Sequence, residues 1–494
     1  MNYSKNKIIF IILDHYKTER LGIQILSSIA LEEEYERDLL IINSMSIEEG
    51  LKKVRDFHPQ IVAYSGMTYE QFDLQQFNML LKKSNLKFIS IFGGQHYTFN
   101  PEEIIKDNNI DVICRGEGEE AFRKFIQAVR DVKEYDHIEK LWVRRGNEII
   151  KNPLGTLNTN LDSIPFPDRD LLLVCDLETD RYQGKSMSVM IGRGCPQRCS
   201  YCFNHKYNEL FRGSKIFRYR SVNSAIKETK QIVKKYGLDF IIFVDDCFSY
   251  LPNEFIKEFC QKYKDEIGIP FFVQFRAETV REDIVVMLKD AGLHLASISV
   301  ECGNEDVSHN ILQRGIITND HLSRACELFH KHKIKTWSLN LLALPVENPL
   351  EIDLETIKFN IKIKPTWALF SILIPIPNTS IWDYSIQHGY LDKDSILDPN
   401  KPPSTFTGTR LKYKDPDLVK KVNNLHKFAS IVVKFPFLLP LVKILIRFPE
   451  NRIYQYISFI WYGYWKTIGS FQTKFSFRLV INGIKSINKY LSKH

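Results

Sequence analysis

Cysteine is scarce in this chain: nine residues in 494, an odd number. That density excludes a secreted scaffold stapled by disulfides. A secretory leader is not expected either, because the first apolar run, Ile8–Leu13, is only about six residues and no small-residue cleavage site follows. The most apolar stretch, Phe428–Pro449, is broken by Lys434, Lys443, Arg447 and prolines. It therefore falls short of the roughly 20 uninterrupted apolar residues of a spanning helix. Internal repeats and low-complexity tracts are absent too. A cytoplasmic protein of about three domains is expected.

Acidic residues are few only at one end. Leu411–His494 holds 15 Lys and Arg against three acids, so this tail carries +12 of a total of +8, and the rest of the chain sums to −4. A nucleic-acid binder would spread its basic charge over its folded domains, so nucleic acid is not an expected partner. Basic and aromatic residues interleave in the tail, notably in Ile453–Trp465. Two readings stay open: a helical cap docked on the preceding domain, or an amphipathic region lying on the inner face of a membrane.

What the chain does have is rhythm. Short runs rich in Ile, Val and Phe recur at Ile8–Leu13, Leu39–Ile42, Ile61–Tyr64, Phe88–Phe92 and Val112–Cys114, separated by helix-like stretches such as Gln71–Lys83 and Glu117–Val129. Continuous apolar strands between helices predict a parallel, doubly wound, Rossmann-like sheet over residues 1–135. Residues 136–185, rich in Asn-Pro and Ile-Pro breaks, read as a linker with one small hairpin. The beat resumes with strands expected near Val189–Ile191, Phe240–Val244, Phe271–Phe275, Leu295–Val300, Ser338–Leu344 and Leu369–Ile374. Six βα units over residues 186–395 predict a (βα)6-type partial TIM barrel with its site at the C-terminal strand ends. Residues 396–494 are expected to form a basic, apolar, helical C-terminal region.

The sharpest signal follows the first barrel strand: Ile191-Gly-Arg-Gly-Cys195-Pro-Gln-Arg-Cys199-Ser-Tyr201-Cys202. Three thiolates at this spacing can converge on a soft metal centre. A structural zinc would need a fourth ligand, for which His205 is the nearby candidate. A [4Fe–4S] cluster on three cysteines instead leaves one iron open.

The motif of Cys195, Cys199, Tyr201 and Cys202 resembles the signature of the radical S-adenosylmethionine (SAM) superfamily. The likeness continues in Val244-Asp245-Asp246-Cys247-Phe248, Gln274-Phe275-Arg276-Ala277 and Ser299-Val300-Glu301-Cys302-Gly303. Two further elements resemble the family's GLPGE and PxPGT, with Ala343 and Asn378 where glycines are usual. The resemblance implies Cys195, Cys199 and Cys202 as cluster ligands whose open iron chelates SAM. It further implies SAM contacts from Tyr201, Asp245, Arg276 and Glu301. Cys247 and Cys302 are expected to be small core residues.

In the first domain, glycines stand at three strand ends: Tyr64-Ser65-Gly66-Met67, Phe92-Gly93-Gly94-Gln95-His96 and Cys114-Arg115-Gly116-Glu117-Gly118. Open α/β sheets bind ligands there, and glycine lets a ligand approach the backbone. With Phe122 and the order of the two domains, these segments resemble the cobalamin-dependent branch of radical SAM enzymes. The resemblance implies cobalamin contacts from Ser65, Gly66, Gly93, Gly94, His96, Gly116 and Glu117. Asp14 and His15 are adjacent and lack the DxHxxG spacing, so base-off binding without a protein histidine on cobalt is expected.

The expected activity is then reductive cleavage of SAM to a 5′-deoxyadenosyl radical, with methylation of an unactivated carbon of a hydrophobic or natural-product-like substrate. A flavodoxin- or ferredoxin-type protein would supply single electrons. Radical oxidative cyclisation or rearrangement of a lipid or porphyrin-like substrate is the alternative within the family. A non-catalytic cobalamin or iron–sulfur sensor is the alternative of another class.

Overall fold

The computed structural model describes residues 6–13, 19–175, 186–392, 405–406 and 408–470. It comprises two compact units, Met1–Thr179 with Gly213–Lys215, and Asp180–Arg212 with Ile216–His494.

The first unit is built on β1 (Lys7–Ile12), β2 (Glu36–Ile41), β3 (Ile61–Ser65), β4 (Ile89–Gly93) and β5 (Val112–Cys114), which run parallel in the order β2-β1-β3-β4-β5. Alternate residues of β1 feed two cores: Ile8, Phe10 and Ile12 on one face, Ile9 and Ile11 on the other. Burial on both faces is why the strand reads as an unbroken apolar run. Strand order reverses between β1 and β3, and that is where such sheets open a crevice. The hairpin expected in the following segment does form, as β6 (Leu141–Arg145) and β7 (Glu148–Lys151). It joins the same sheet antiparallel to β5, extending it to seven strands.

In the second unit, β8 (Ser186–Val189) precedes a two-residue ribbon, β9 (Gly192–Arg193) with β10 (Arg218–Tyr219). Then come β11 (Phe240–Phe243), β12 (Phe271–Phe275), β13 (Leu293–Glu301), β14 (Lys335–Leu342) and β15 (Trp367–Ile372). The six long strands are parallel in the order β8-β11-β12-β13-β14-β15, an open barrel in which β8 and β15 are the edges. Ile241, Phe243, Phe271, Val273 and Phe275 pack outward into the main core with helices Val222–Tyr236 and Asn253–Glu266. Phe240, Phe272 and Leu295 face the other way, beside Ile242 and Trp337.

The first barrel strand ends sooner than expected. The amides of Ile191 and Gly192 are taken by the Asp245 side chain, so the chain leaves the sheet after Val189.

The C-terminal region begins with helix Pro416–Lys434, which packs along β15 and helix Pro349–Ile363. His426 Nε2 meets the Phe370 carbonyl at 3.0 Å, so this helix covers the open edge of the barrel. Shorter helices follow at Leu439–Leu445 and Arg452–Tyr464. At the far end of β14, Trp337 Nε1 donates to Ser470 Oγ at 2.6 Å and Lys335 Nζ to the Gly469 carbonyl at 3.0 Å. Among the described residues no helix is long and apolar enough to cross a membrane.

Candidate active site

The cysteine loop is fixed by its backbone before any cofactor is considered. Gly194 has φ +86°, and a Cβ there would lie 2.4 Å from the Ile216 carbonyl oxygen, so only glycine fits. Asp245 at the end of β11 is buried, and its Oδ1 accepts from the amides of Ile191, at 2.9 Å, and Gly192. Asp246 Oδ2 accepts from Gly194 N at 3.2 Å. Further along, Ser200 N donates to the Leu312 carbonyl at 2.9 Å and Ser200 Oγ to that of Ile311 at 2.6 Å. Asn208 Nδ2 holds the Cys195 carbonyl at 2.8 Å. Loops from several strand ends thus clamp one short segment.

The three thiols are free, Cys199 buried and the other two half-buried. Burial pushes the Cys195 and Cys202 thiols up to about 12, so a bound cationic centre is what would hold them as thiolates. Among the described residues no group of three His, Cys, Asp or Glu side chains is gathered tightly enough for a single metal ion. A four-iron cluster spreads its ligands over separate corners and needs no such convergence. His205 is not available as a zinc ligand: Nδ1 lies 2.6 Å from the Cys202 carbonyl and Nε2 3.0 Å from Ser380 Oγ.

Arg276, at the end of β12, comes within 3.8 Å of Cys199 Sγ through Nη1. Its Nε donates to Glu278 at 2.6 Å and Nη2 to the Arg314 carbonyl at 3.1 Å. Burial alone would lower this guanidinium's pKa, but the Glu278 hydrogen bond and charge outweigh it and raise it. Glu301 closes β13 in a left-handed conformation, φ 60°, after a register shift between Ser299 and Glu301. Its buried carboxyl accepts a hydrogen bond from Tyr201. Burial raises the Glu301 carboxyl above its usual range against the pull of Arg314, Tyr201, Ser299 and Arg276. Burial and then the Glu301 charge keep the Tyr201 phenol protonated.

Of the four residues expected to meet SAM, Tyr201 lies in the cysteine loop, and Asp245, Arg276 and Glu301 each touch that loop. Asp245 spends Oδ1 on the loop backbone, and Arg276 already has a carboxylate partner. Two neighbours were not foreseen. Glu278 carries no signal in the sequence because its role shows only once the turn after β12 brings it back to Arg276. Arg314 sits in a loop without a motif, yet it is 1% exposed and donates to the Val300 and Ser299 carbonyls at 2.8 and 2.7 Å. Cys247 and Cys302 are buried beside Ser249 and Thr356, as small core residues. Asp245 Oδ2, Glu278 Oε2 and Arg314 Nε are buried without a partner. Unpaired polar atoms around a thiol loop fit the amino and carboxylate groups of SAM on a cluster.

In the first unit, Gly66 N donates to the Gly93 carbonyl at 3.2 Å, and Ser65 pairs with Gly93 in register. Gly94 has φ +104°, and a Cβ on it would stand 2.7 Å from the Gly66 oxygen. Gly116 N donates to Thr98 Oγ1 at 2.9 Å, which ties the loop carrying the half-buried Glu117 to helix Gln95–Phe99. His96 is buried, its Nδ1 3.4 Å from Thr68 Oγ1, and burial lowers its pKa to about 4. It packs the loop as a neutral ring. Asp14 and His15 lie outside the described residues. A Cβ at Gly93 would find nothing nearer than the Cys114 carbonyl at 3.7 Å, and the buried hydroxyls of Tyr64 and Tyr97 have no partner. Strand ends without side chains, which leave backbone groups open at Gly93, fit the polar tail of cobalamin.

Residues 189–356 match the radical SAM superfamily and residues 10–126 the B12 binding domain. The chain belongs to the cobalamin-dependent radical SAM enzymes. Its cofactors are accordingly a [4Fe–4S] cluster, SAM and cobalamin. This radical SAM enzyme is 27% identical to an uncharacterized methyltransferase of Pyrococcus horikoshii over 409 residues, 79% of this chain and 84% of that one. It is 23% identical to the anaerobic magnesium-protoporphyrin IX monomethyl ester cyclase of Rubrivivax gelatinosus, over 69% of this chain and 61% of the cyclase. Its fold is similar to that of the cobalamin-dependent SAM radical enzyme OxsB with aqua-cobalamin and SAM bound, with a TM-score of 0.66, 18% identity, and 95% and 72% of the two chains covered.

Proposed function

We propose that this enzyme methylates an unactivated carbon of a hydrophobic or natural-product-like substrate. The observation that supports the substrate class is the stretch of the barrel's inner face on β11, β14 and β15 where Ile242, Trp337, Leu339, Leu341 and Leu369 are apolar and only half-buried, with Ser188, Gln274, Ser299 and Ser371 as the polar positions of the same face. Polar substrates would leave that wall poorly solvated. When bound at Cys195, Cys199 and Cys202, a [4Fe–4S] cluster would supply the electron for reductive cleavage of SAM, and cobalamin would supply methyl-carrying chemistry.

The chain's own residues position and shield. Asp245 sets the shape of the loop that presents Cys195, Cys199 and Cys202. Arg276, Glu301 and Tyr201 line the SAM site, where Arg276 places a cation beside the Cys199 sulfur. In the first unit, Ser65, Gly66, Gly93, Gly94, His96, Gly116 and Glu117 hold cobalamin by shape and backbone contacts. Electrons come one at a time from a flavodoxin- or ferredoxin-type donor.

Methyl transfer is supported by the name of the Pyrococcus relative, and the cyclase relative supports a second reading, oxidative cyclisation without methyl transfer. Mass spectrometry of SAM products from anaerobically reconstituted enzyme, with cobalamin, a strong reductant and lipid extract, separates them. Comparable substrate-dependent 5′-deoxyadenosine and S-adenosylhomocysteine support methylation. Substrate-dependent 5′-deoxyadenosine without S-adenosylhomocysteine overturns it in favour of the second reading.

A further inference from the structure

Of the 17 large hydrophobic side chains exposed among the described residues, ten lie between Phe435 and Tyr464, so exposure of this kind is concentrated in one region, the other seven being scattered from Leu31 to Ile316. Phe437 is 77% exposed, Ile453 68% and Ile460 64%, and no residue of helix Arg452–Tyr464 is fully buried. Contiguous exposed apolar surface marks a binding face.

Charge identifies what binds. From Lys434 to Lys466 the only acid is Glu450, against Lys434, Lys443, Arg447, Arg452 and Lys466. Glu450 already accepts from Asn423 Nδ2 at 2.9 Å. The Lys434 and Lys466 ammonium groups lie over the rings of Trp465 and Tyr462, at 5.3 and 5.5 Å from their centroids, and Lys443, Arg447 and Arg452 are exposed. A second copy would bring the same cations against these, since a twofold interface pairs a patch with itself. Residues 471–494 would bring five more Lys and Arg and no acid. Only an anionic partner is complementary.

We infer that residues 435–464 form a docking surface for an anionic lipid bilayer, lying in the interface without crossing it. Helix Arg452–Tyr464 has 13 residues. At 1.5 Å per residue it reaches about 20 Å, short of the roughly 30 Å hydrocarbon core. Its Ile453, Ile457 and Ile460 enter the acyl boundary while Lys443, Arg447 and Arg452 meet phosphate headgroups. Exposed Tyr456 and Tyr464 sit at the headgroup level. This inference is independent of which reaction the barrel performs.

The test is co-sedimentation of the full-length protein with vesicles of phosphatidylcholine alone or mixed with phosphatidylglycerol. Binding to the mixed vesicles, weakened by salt, is expected. The combined Phe437→Glu, Ile444→Glu, Ile453→Glu and Ile460→Glu variant should bind at least about tenfold less, with SAM cleavage and circular dichroism unchanged. Lys443→Glu with Arg447→Glu and Arg452→Glu should lose the preference for phosphatidylglycerol. Absence of wild-type sedimentation with either vesicle overturns the inference, as does undiminished binding by the four-site variant. A dimer in light scattering that the four-site variant dissolves, without vesicle binding, overturns it in favour of a second copy.

Discussion

Between Cys195 and Cys202 the chain crowds three thiols into eight residues, whereas at the ends of β3 and β4 it places Ser65, Gly66, Gly93 and Gly94 and almost no side chain. The first region works by chemical identity: a particular atom must be present. On the proposed function the second works by vacancy: atoms are absent at Gly66 and Gly94 so that the strand ends pack closely, and at Gly93 so that backbone is reachable. One is destroyed by deletion and the other by addition, which gives each its own experimental signature.

The largest effect falls on the thiols. Cys199→Ala should abolish the iron–sulfur absorption and all 5′-deoxyadenosine formation while cobalamin still binds, checked by iron analysis, product mass spectrometry and cobalamin titration. Retention of SAM cleavage would break the contrast at its stronger end.

Next comes the carboxylate that shapes the loop. Burial pushes Asp245 up to about 7 against the lowering pull of the Gly192 and Ile191 amides. An acid whose folded pKa is raised binds its proton more tightly in the folded chain. Its contribution is fully present below the unfolded value near 4 and is lost as pH rises through about 7. The stability difference across that window is on the order of 4 kcal/mol. Asp245→Asn keeps an oxygen for both amides and does not ionise. Denaturation of apo-protein from pH 4 to 8 should show the variant gaining on the wild type as pH rises, and parallel curves would contradict this.

A smaller effect is expected at the bare strand ends. Gly94→Val places a Cβ against the Gly66 carbonyl at φ +104°. The left-handed conformation alone costs about 1–2 kcal/mol. Cobalamin affinity should drop at least about tenfold with cluster content unchanged, as read by titration and iron analysis. Unaltered cobalamin affinity would show that shape is not what the glycines provide.

The pattern of what sequence reveals follows the same division. Cysteine spacing needs no fold to be read, and alternation of apolar runs with helices located the parallel strands of both sheets to within a few residues, while the hairpin that extends the first sheet was expected only as part of a linker. The departures had physical causes. Strand β8 stops early because Asp245, far along the chain, captures the next amides. Helix Pro416–Lys434 starts twelve residues before the apolar run at Phe428. Its buried Asn424 is polar in sequence, but Asn424 Nδ2 is satisfied by the Phe448 carbonyl at 2.8 Å, so burial there leaves no hydropathy signal. Arg314 acts through carbonyls at the end of β13, and Glu278 through the turn after β12 that returns it to Arg276. Conversely, the two replaced glycines are explained by backbone: Ala343 and Asn378 both adopt positive φ, 57° and 67°.

That gives the smallest prediction. Ala343→Gly relieves a left-handed alanine and loses some unfolded-state restriction, for a net gain of about 0.5–1 kcal/mol in thermal or denaturant unfolding. A loss of stability would mean that the Asp353 contacts to the Ala343 amide, at 3.1 and 3.2 Å, depend on the methyl group.

The central claim, that one chain carries both a SAM-binding cluster and cobalamin, is tested most directly by anaerobic reconstitution with iron, sulfide and cobalamin. Gel filtration, metal analysis and electron paramagnetic resonance before and after adding SAM would follow. Iron and cobalt eluting together with the protein, and a reduced-cluster signal that SAM perturbs, is the predicted result. Zinc in place of iron, or iron without cobalt, would contradict it.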